Sequence, residues 1–156
     1  MQMNSLNRID RNILRELQRD GRLSFAELAR RVGLTTTPCM ERVRRLERDG
    51  VITGFSALVN PGAVGAALLV FVQIRLSRTS QDNFAEFKAA AADLPEVQEC
   101  YLVSGDFDYL IKARVADMAA YREFLGETLL GLPGVQASTS YVVMETVKET
   151  LCVAIR

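Results

Sequence analysis

SFAELARRVGLTTTPCMERVRRLERDG, Ser24 to Gly50, reads as two short helices joined by a glycine-containing turn, the second studded with arginine. That is the layout of a helix-turn-helix, whose second helix enters the DNA major groove. Ser24 followed three residues later by Glu27 is a capping-box pattern, which starts a helix at Phe25 and carries it to about Val32, where Gly33 stops it. Thr35 or Thr36 is placed to cap the next helix. Pro38 is tolerable only in that helix's first turn, where a missing N–H has no intrahelical partner to lose. The second helix then runs to about Asp49, and Gly50 ends it.

At 100° per residue, Cys39, Val43 and Leu46 form a narrow apolar stripe on this second helix, with Thr37, Glu41, Arg44, Arg45 and Arg48 opposite. On a lone helix an arginine face is an ordinary solvated surface. Behind a first helix and a turn it becomes a reading face, because a guanidinium can bridge O6 and N7 of guanine or clamp a phosphate without losing charge. Glu41 has two uses: accepting from a cytosine amino group, or pairing with Arg44 and Arg45 along the helix, the latter preferred. The candidate DNA-contacting set is Thr36, Thr37, Glu41, Arg42, Arg44, Arg45 and Arg48.

Charge supports this placement. The 156 residues sum to zero net charge, but residues 1–60 carry 11 arginines against 7 acids, net +4, and residues 61–156 carry 8 bases against 12 acids, net −4. A basic half joined to an acidic half points to a nucleic-acid-binding end attached to something with another task. The chain has no histidine, which removes the commonest general base and most zinc sites. No catalytic or metal-ligating residue is therefore assigned, and the chain is read as a non-enzyme. Cys39, Cys100 and Cys152 show no CxxC spacing and read as buried free thiols. With 49% hydrophobic and 24% charged residues, no apolar run near the roughly 18 of a membrane span and no signal-peptide core, the expected location is the cytoplasm; a DNA-binding role would make it nucleoid-associated there.

Outward from the opening stretch, Asn7 and Asp10 bracket a first helix with an apolar stripe of Ile9, Ile13, Leu14 and Leu17, ending near Asp20. Val51–Val59 is rich in strand formers and reads as a hinge strand, followed by a loop through Gly65. Domain boundaries are set accordingly: residues 1–50 for the three-helix helix-turn-helix domain, 51–66 for hinge strand and linker, 67–156 for the rest. That remainder alternates: strand Ala67–Leu76, helix Gln81–Leu94 capped by Ser80, strands Val97–Val103 and Tyr109–Val115, helix Met118–Leu130 capped by Asp117, strand Val135–Val147. The order βαββαβ specifies a ferredoxin-like fold with both helices on one sheet face, so the chain is α+β overall. Leu69 and Phe71 alternate with Val70, Val72 and Ile74, which leaves apolar residues on the other face and predicts a dimer.

Gly105-Asp106-Phe107-Asp108 between two strands is turn chemistry. It also suits a polar cleft for a small zwitterion, Asp108 holding an ammonium and freed N–H groups a carboxylate. An acid/base pair of Asp106 and Asp108 would need a nucleophile or activated water that the sequence does not supply.

Taken together, RIDRNIL (Arg8–Leu14), ELARRVGL (Glu27–Leu34), TPCMERVRRLERDGVI (Thr37–Ile52), LVSGDFDYL (Leu102–Leu110), LGETLLGLPGV (Leu125–Val135) and YVVMETVK (Tyr141–Lys148) resemble the Lrp/AsnC family of transcriptional regulators, most closely its leucine-responsive branch. The resemblance implies double-stranded DNA as a partner, dimers assembling into octamers or larger discs, and no cofactor beyond an amino-acid effector, leucine or another aliphatic one. It places that effector at Leu102, Val103, Ser104, Gly105, Asp106 and Asp108, with Met118, Ser140, Tyr141 and Val142 completing the site from a neighbouring dimer. Thr35–Thr37 depart from the Ser-Pro-Thr common in that branch, and the tail LCVAIR is less basic than in many relatives. Two other readings stand beside this one: a nucleoid-organising protein that wraps DNA without an effector, and a metabolite-binding or enzymatic ferredoxin-like domain fused to a DNA anchor.

Overall fold

Residues 6–77 and 82–156 are described by a computed structural model, in which the chain divides into two units: residues up to Leu58 with Glu149–Arg156, and Val59–Lys148. The expected Ser80 cap and Gln81 helix start lie outside the described residues.

The first unit is three helices, α1 (Arg8–Arg19), α2 (Phe25–Val32) and α3 (Thr36–Arg48). Asn7 and Asp10 close a reciprocal capping box at the start of α1, Asn7 Oδ1 accepting from the Asp10 N–H at 2.9 Å. At α2 only half of the expected box forms. Ser24 accepts from the Glu27 N–H at 3.2 Å, but the Glu27 carboxylate is taken by Arg30 and Arg31, each at 2.8 Å. Those two guanidiniums hold the carboxyl down to about 2. Gly33 ends α2 at φ 72°, a left-handed conformation that disfavours any side chain, and lets the Leu34 N–H return to the Ala29 carbonyl. Cys39, Val43 and Leu46 turn inward onto Ile13, Leu28, Ala29 and Val32, the stripe that the wheel picks out. Each such aliphatic side chain contributes about 1.5–3 kcal/mol by leaving water.

The N–H groups of Val51 and Ile52 both return to the Leu46 carbonyl, and Ile52 packs onto this core. The hinge strand expected over Val51–Val59 is not formed. A strand exists by pairing, whatever its propensity, and among the described residues these find no partner edge, which leaves Phe55, Leu58 and Val59 exposed. Pro61–Val64 is a short 3-10 turn where a loop was expected. The tail belongs to this first unit, where Gln18 on α1 clamps it at two points, Oε1 accepting from the Val153 N–H at 2.7 Å and Nε2 donating to the Val153 carbonyl at 3.0 Å.

The second unit is an antiparallel sheet in the order β2-β3-β1-β4, with β1 (Leu68–Leu76), β2 (Val97–Leu102), β3 (Tyr109–Val115) and β4 (Val135–Val142). Helix α4 (Asp82–Ala92) joins β1 to β2, and α5 (Met118–Glu123) lies between β3 and β4. Each crossover skips one strand, the topology expected from βαββαβ. Val70, Val72, Ile74 and Leu76 alternate with Tyr109, Ile111, Ala113 and Val115 under Phe87 and Ala91 of α4 and Tyr121 of α5, so both helices cover one face. Leu69, Phe71, Leu110, Tyr101 and Tyr141 fall on the other face, around a Lys112–Glu99 ion pair of 3.1 Å.

Two segments are shorter than the sequence reading. The helix expected to run to Leu130 is regular only to Glu123, then widens into a π turn at Phe124–Thr128 and tightens at Leu129–Gly131. Phe124 and Leu129 are both buried but five residues apart, a spacing that one π turn aligns and an α turn does not. β4 stops at Val142, short of Val147, because its ladder ends opposite Val70 near the start of β1, with one last bond from the Val143 N–H to the Leu69 carbonyl.

Candidate functional site

Helix α3 sorts its arginines into two groups. Arg42 Nη1 reaches Asp10 Oδ1 at 2.9 Å, and Arg45 Nη2 reaches Asp10 Oδ2 at 2.7 Å. Asp10 is 2% exposed and is the one buried charged residue among those described. Burying a carboxylate is costly unless it is paired; here two guanidiniums and the N-terminal end of α1 offset that cost. Thr37, Glu41, Arg44 and Arg48, spaced i, i+4, i+7 and i+11, form the outward stripe, and all four are exposed. The preferred pairing of Glu41 with Arg44 and Arg45 is not formed: among the described residues Glu41, Arg44 and Arg48 have no ion pair, and Arg45 is committed to Asp10. Thr36 is exposed in the first turn, and Thr35 occupies the cap position without a side-chain cap bond.

Asp10 was not among the sequence candidates. A signal for it existed: it lies three residues before Ile13, four before Leu14 and seven before Leu17, which puts an acid on the apolar stripe of α1.

The 103–108 loop joins β2 to β3. Gly105 has φ 154° and nothing near its missing side chain, so its backbone conformation, not space, calls for glycine. Asp108 is pinned three ways: its N–H donates to the Ile74 carbonyl at 2.9 Å, its carbonyl accepts from the Val103 N–H at 3.0 Å, and Oδ2 accepts from the Leu76 N–H at 2.7 Å. Arg75 donates to the Asp106 carbonyl. Asp108 thus has one carboxylate oxygen in use and one without a protein partner among the described residues. Ser104, Gly105 and Asp106 are exposed.

The remaining effector candidates lie elsewhere in the unit. Met118 follows the far end of β3, seven strand residues from the loop, or about 20 Å at the rise of an extended strand. Ser140, Tyr141 and Val142 are on β4, the opposite edge strand from β2, paired with Val72, Phe71 and Val70. The Ser140 side chain faces the helices, where its hydroxyl is hydrogen-bonded to the Tyr121 hydroxyl, whereas Tyr141 projects from the helix-free face and is half exposed. Leu102 and Met118 are also exposed. The unit therefore groups Val103, Ser104, Gly105, Asp106 and Asp108 together beside Leu102, and holds Met118 and Ser140–Val142 apart from them.

Cys39 is buried and Cys100 half-buried, and burial pushes both thiols up; Cys152 is exposed, against the expectation of three buried thiols. Among the described residues no group of His, Cys, Asp and Glu could hold a metal ion, and no helix is long and apolar enough to cross a membrane.

Residues 69–152 match the Lrp/AsnC ligand binding domain, and residues 6–53 a winged helix-turn-helix DNA-binding domain. The chain is 63% identical over 145 residues to the leucine-responsive regulatory proteins of Escherichia coli K12 and Salmonella typhimurium, covering 93% of this chain and 88% of each relative. Among solved structures it is similar to a transcriptional regulator of Neisseria meningitidis in complex with L-Met, at TM-score 0.92 and 35% identity over 96% of this chain and 97% of the other. It is likewise similar to an AsnC family transcriptional regulator of Agrobacterium tumefaciens, at TM-score 0.90 and 40% identity over 95% and 96%.

Proposed function

The chain belongs to the Lrp/AsnC family, and from that premise we propose that it is a sequence-specific DNA-binding transcriptional regulator whose assembly or DNA affinity is set by a small amino acid. The observation that carries this reading is the outward stripe of α3, where Thr37, Glu41, Arg44 and Arg48 are exposed on a helix whose opposite side is locked into a closed helix-turn-helix. Arg44 and Arg48 are the arginines available for base edges or phosphates. A homodimer through the helix-free sheet face, rich in Leu69, Phe71 and Tyr141, would present two such helices to half-sites about one helical turn apart.

The effector site is supported as an inter-chain site. Leu102 at the end of β2, loop residues 103–106 and Asp108 are one part; Met118, Ser140, Tyr141 and Val142 are the other, and one chain holds the two parts apart. A loop from one chain against the Met118 end of another assembles them, which favours dimers stacked into octamers or larger rings. Backbone N–H groups around Gly105 take the ligand's carboxylate, the free oxygen of Asp108 its ammonium, and Leu102 and Met118 an aliphatic side chain. Relatives named for leucine and solved with L-Met make leucine or methionine the first ligands to try. For a ligand to regulate, it must bind one assembly more tightly than another.

A thermal-shift series over the twenty amino acids, with DNA footprinting in the presence of whichever ligand raises the melting point, tests both halves. Discrete half-sites that change with ligand are expected. Continuous protection indifferent to every amino acid would make the protein a DNA-wrapping nucleoid organiser.

A further inference from the structure

Six arginines of the three-helix segment, Arg8, Arg11, Arg15, Arg22, Arg44 and Arg48, carry no ion pair among the described residues, whereas Arg42 and Arg45 share one carboxylate that solvent barely reaches. We propose that Asp10 is a positioning residue that decides which arginines of α3 read DNA, holding Arg42 and Arg45 off the reading face and leaving the groove to Arg44 and Arg48. This rests on the DNA-binding function proposed above and deepens it.

Three observations carry the assignment. Asp10 stands at the third position of α1, where its backbone N–H is fixed by Asn7, so the carboxylate points from a rigid helix start and not from a mobile loop. Each carboxylate oxygen takes a different arginine, and Arg42 and Arg45 are three residues apart on the flank of α3, so both are drawn to one side of it. The guanidiniums themselves are only partly buried, at 29% and 37% exposure, so removal of the carboxylate would free them toward solvent without stranding them in the core. Charge-assisted bonds of this kind are directional, and a guanidinium committed at such distances is not free to chelate a guanine edge.

The consequence concerns specificity. Phosphate contacts add affinity on any sequence, with a salt slope of about −0.9 per neutralised phosphate, while base contacts add it on one. An α3 with four free arginines would hold any duplex; pairing two of them internally confines the charge to the stripe that faces base edges.

The test uses the full chain and two duplexes, an operator selected from random sequence and a scrambled control, with affinity measured by fluorescence anisotropy across a salt series. Asp10→Asn should steepen the salt slope on scrambled DNA by about 1 to 2, and adding Arg42→Ala and Arg45→Ala to that variant should return the slope to the wild-type value. In the wild-type background, Arg44→Ala should reduce discrimination between the duplexes by about 5- to 150-fold, and Arg45→Ala should leave it within about twofold. The Arg44 and Arg45 comparison stands even if Asp10→Asn fails to fold. An unchanged or shallower slope in folded Asp10→Asn, or loss of discrimination in Arg45→Ala as large as in Arg44→Ala, would overturn the proposal. Wild-type protein that binds neither duplex would instead overturn the function on which it rests.

Discussion

The outward stripe of helix α3 and the 103–108 loop are both candidate ligand surfaces, yet on the proposed reading one is finished within a single chain and the other is not. On α3 the fold commits only part of the charge: Asp10 takes Arg42 and Arg45, the core takes Cys39, Val43 and Leu46, and the exposed stripe of Thr37, Glu41, Arg44 and Arg48 is the surface proposed to meet DNA. In the loop the fold spends its polar groups on the loop itself, tying Asp108 to Leu76 and Ile74 and Arg75 to the Asp106 carbonyl. Met118 and Ser140–Val142, the residues proposed to complete an effector site, are at the other end of the sheet. A DNA reader can be built by one chain because DNA supplies the second surface. A pocket for a molecule the size of an amino acid has to be walled on several sides, and on the proposed reading the second wall comes from another copy.

The largest effect follows from that second wall. Gly105→Val forces a side chain into a backbone conformation that strains it by about 1–3 kcal/mol, and Met118→Arg places a charge at the far end; each variant alone should lose the amino-acid response completely. Mixed and reassembled, the two should recover binding at about a quarter of the sites, since only a wild-type loop meeting a wild-type Met118 end is intact. Calorimetry on the mixture reads the recovered stoichiometry. No recovery would mean that one chain builds the whole pocket, and the contrast with α3 would be lost. A smaller effect is expected from Asp108→Ala, which leaves the Leu76 N–H without its acceptor and costs about 1–3 kcal/mol in chemical denaturation. Its DNA affinity without effector should match wild type, while its response to the amino acid disappears.

The same contrast explains what could be read from residues alone. The helix-turn-helix was legible because its signals are local: Ser24, Gly33 and Pro38 mark ends, and the wheel separates Cys39, Val43 and Leu46 from the outward stripe. The βαββαβ order was legible for the same reason, through strand alternation and turn residues. Asp10 is less legible because helical periodicity marks apolar positions, and an acid on that stripe shows its use only once the fold brings Arg42 and Arg45 to it. The hinge strand expected over Val51–Val59 does not form because propensity is local and pairing is not. The π turn at Phe124–Thr128 reflects tertiary demand, two buried side chains five apart, which no helix propensity encodes. The effector residues came together as a set only through resemblance, since nothing in spacing relates Gly105 to Met118 or Tyr141.

The smallest effect separates local charge pairing on α2 from the buried pairing at Asp10. The Glu27 side chain is 33% exposed, and its carboxyl is held at about 2, down from 4.5, first by hydrogen bonds from Arg30 and then Arg31. A carboxylate whose folded pKa is depressed stabilises the fold above its unfolded value and loses that contribution as pH falls through the folded one. The window is therefore pH 4.5 down to about 2. Solvent screens an exposed pair, so the contribution should be slight and should weaken further with salt. Comparing melting temperatures of wild type and Glu27→Gln across that window checks this: the curves should differ a little at pH 5 and converge near pH 2, and added salt should bring them together. Asp10→Asn should show a much larger gap at pH 5 that salt hardly closes, because its carboxylate is out of the solvent's reach. Equal salt sensitivity in the two variants would show that the Asp10 pairing is a surface feature, and the division of labour on α3 would have to be explained by something else.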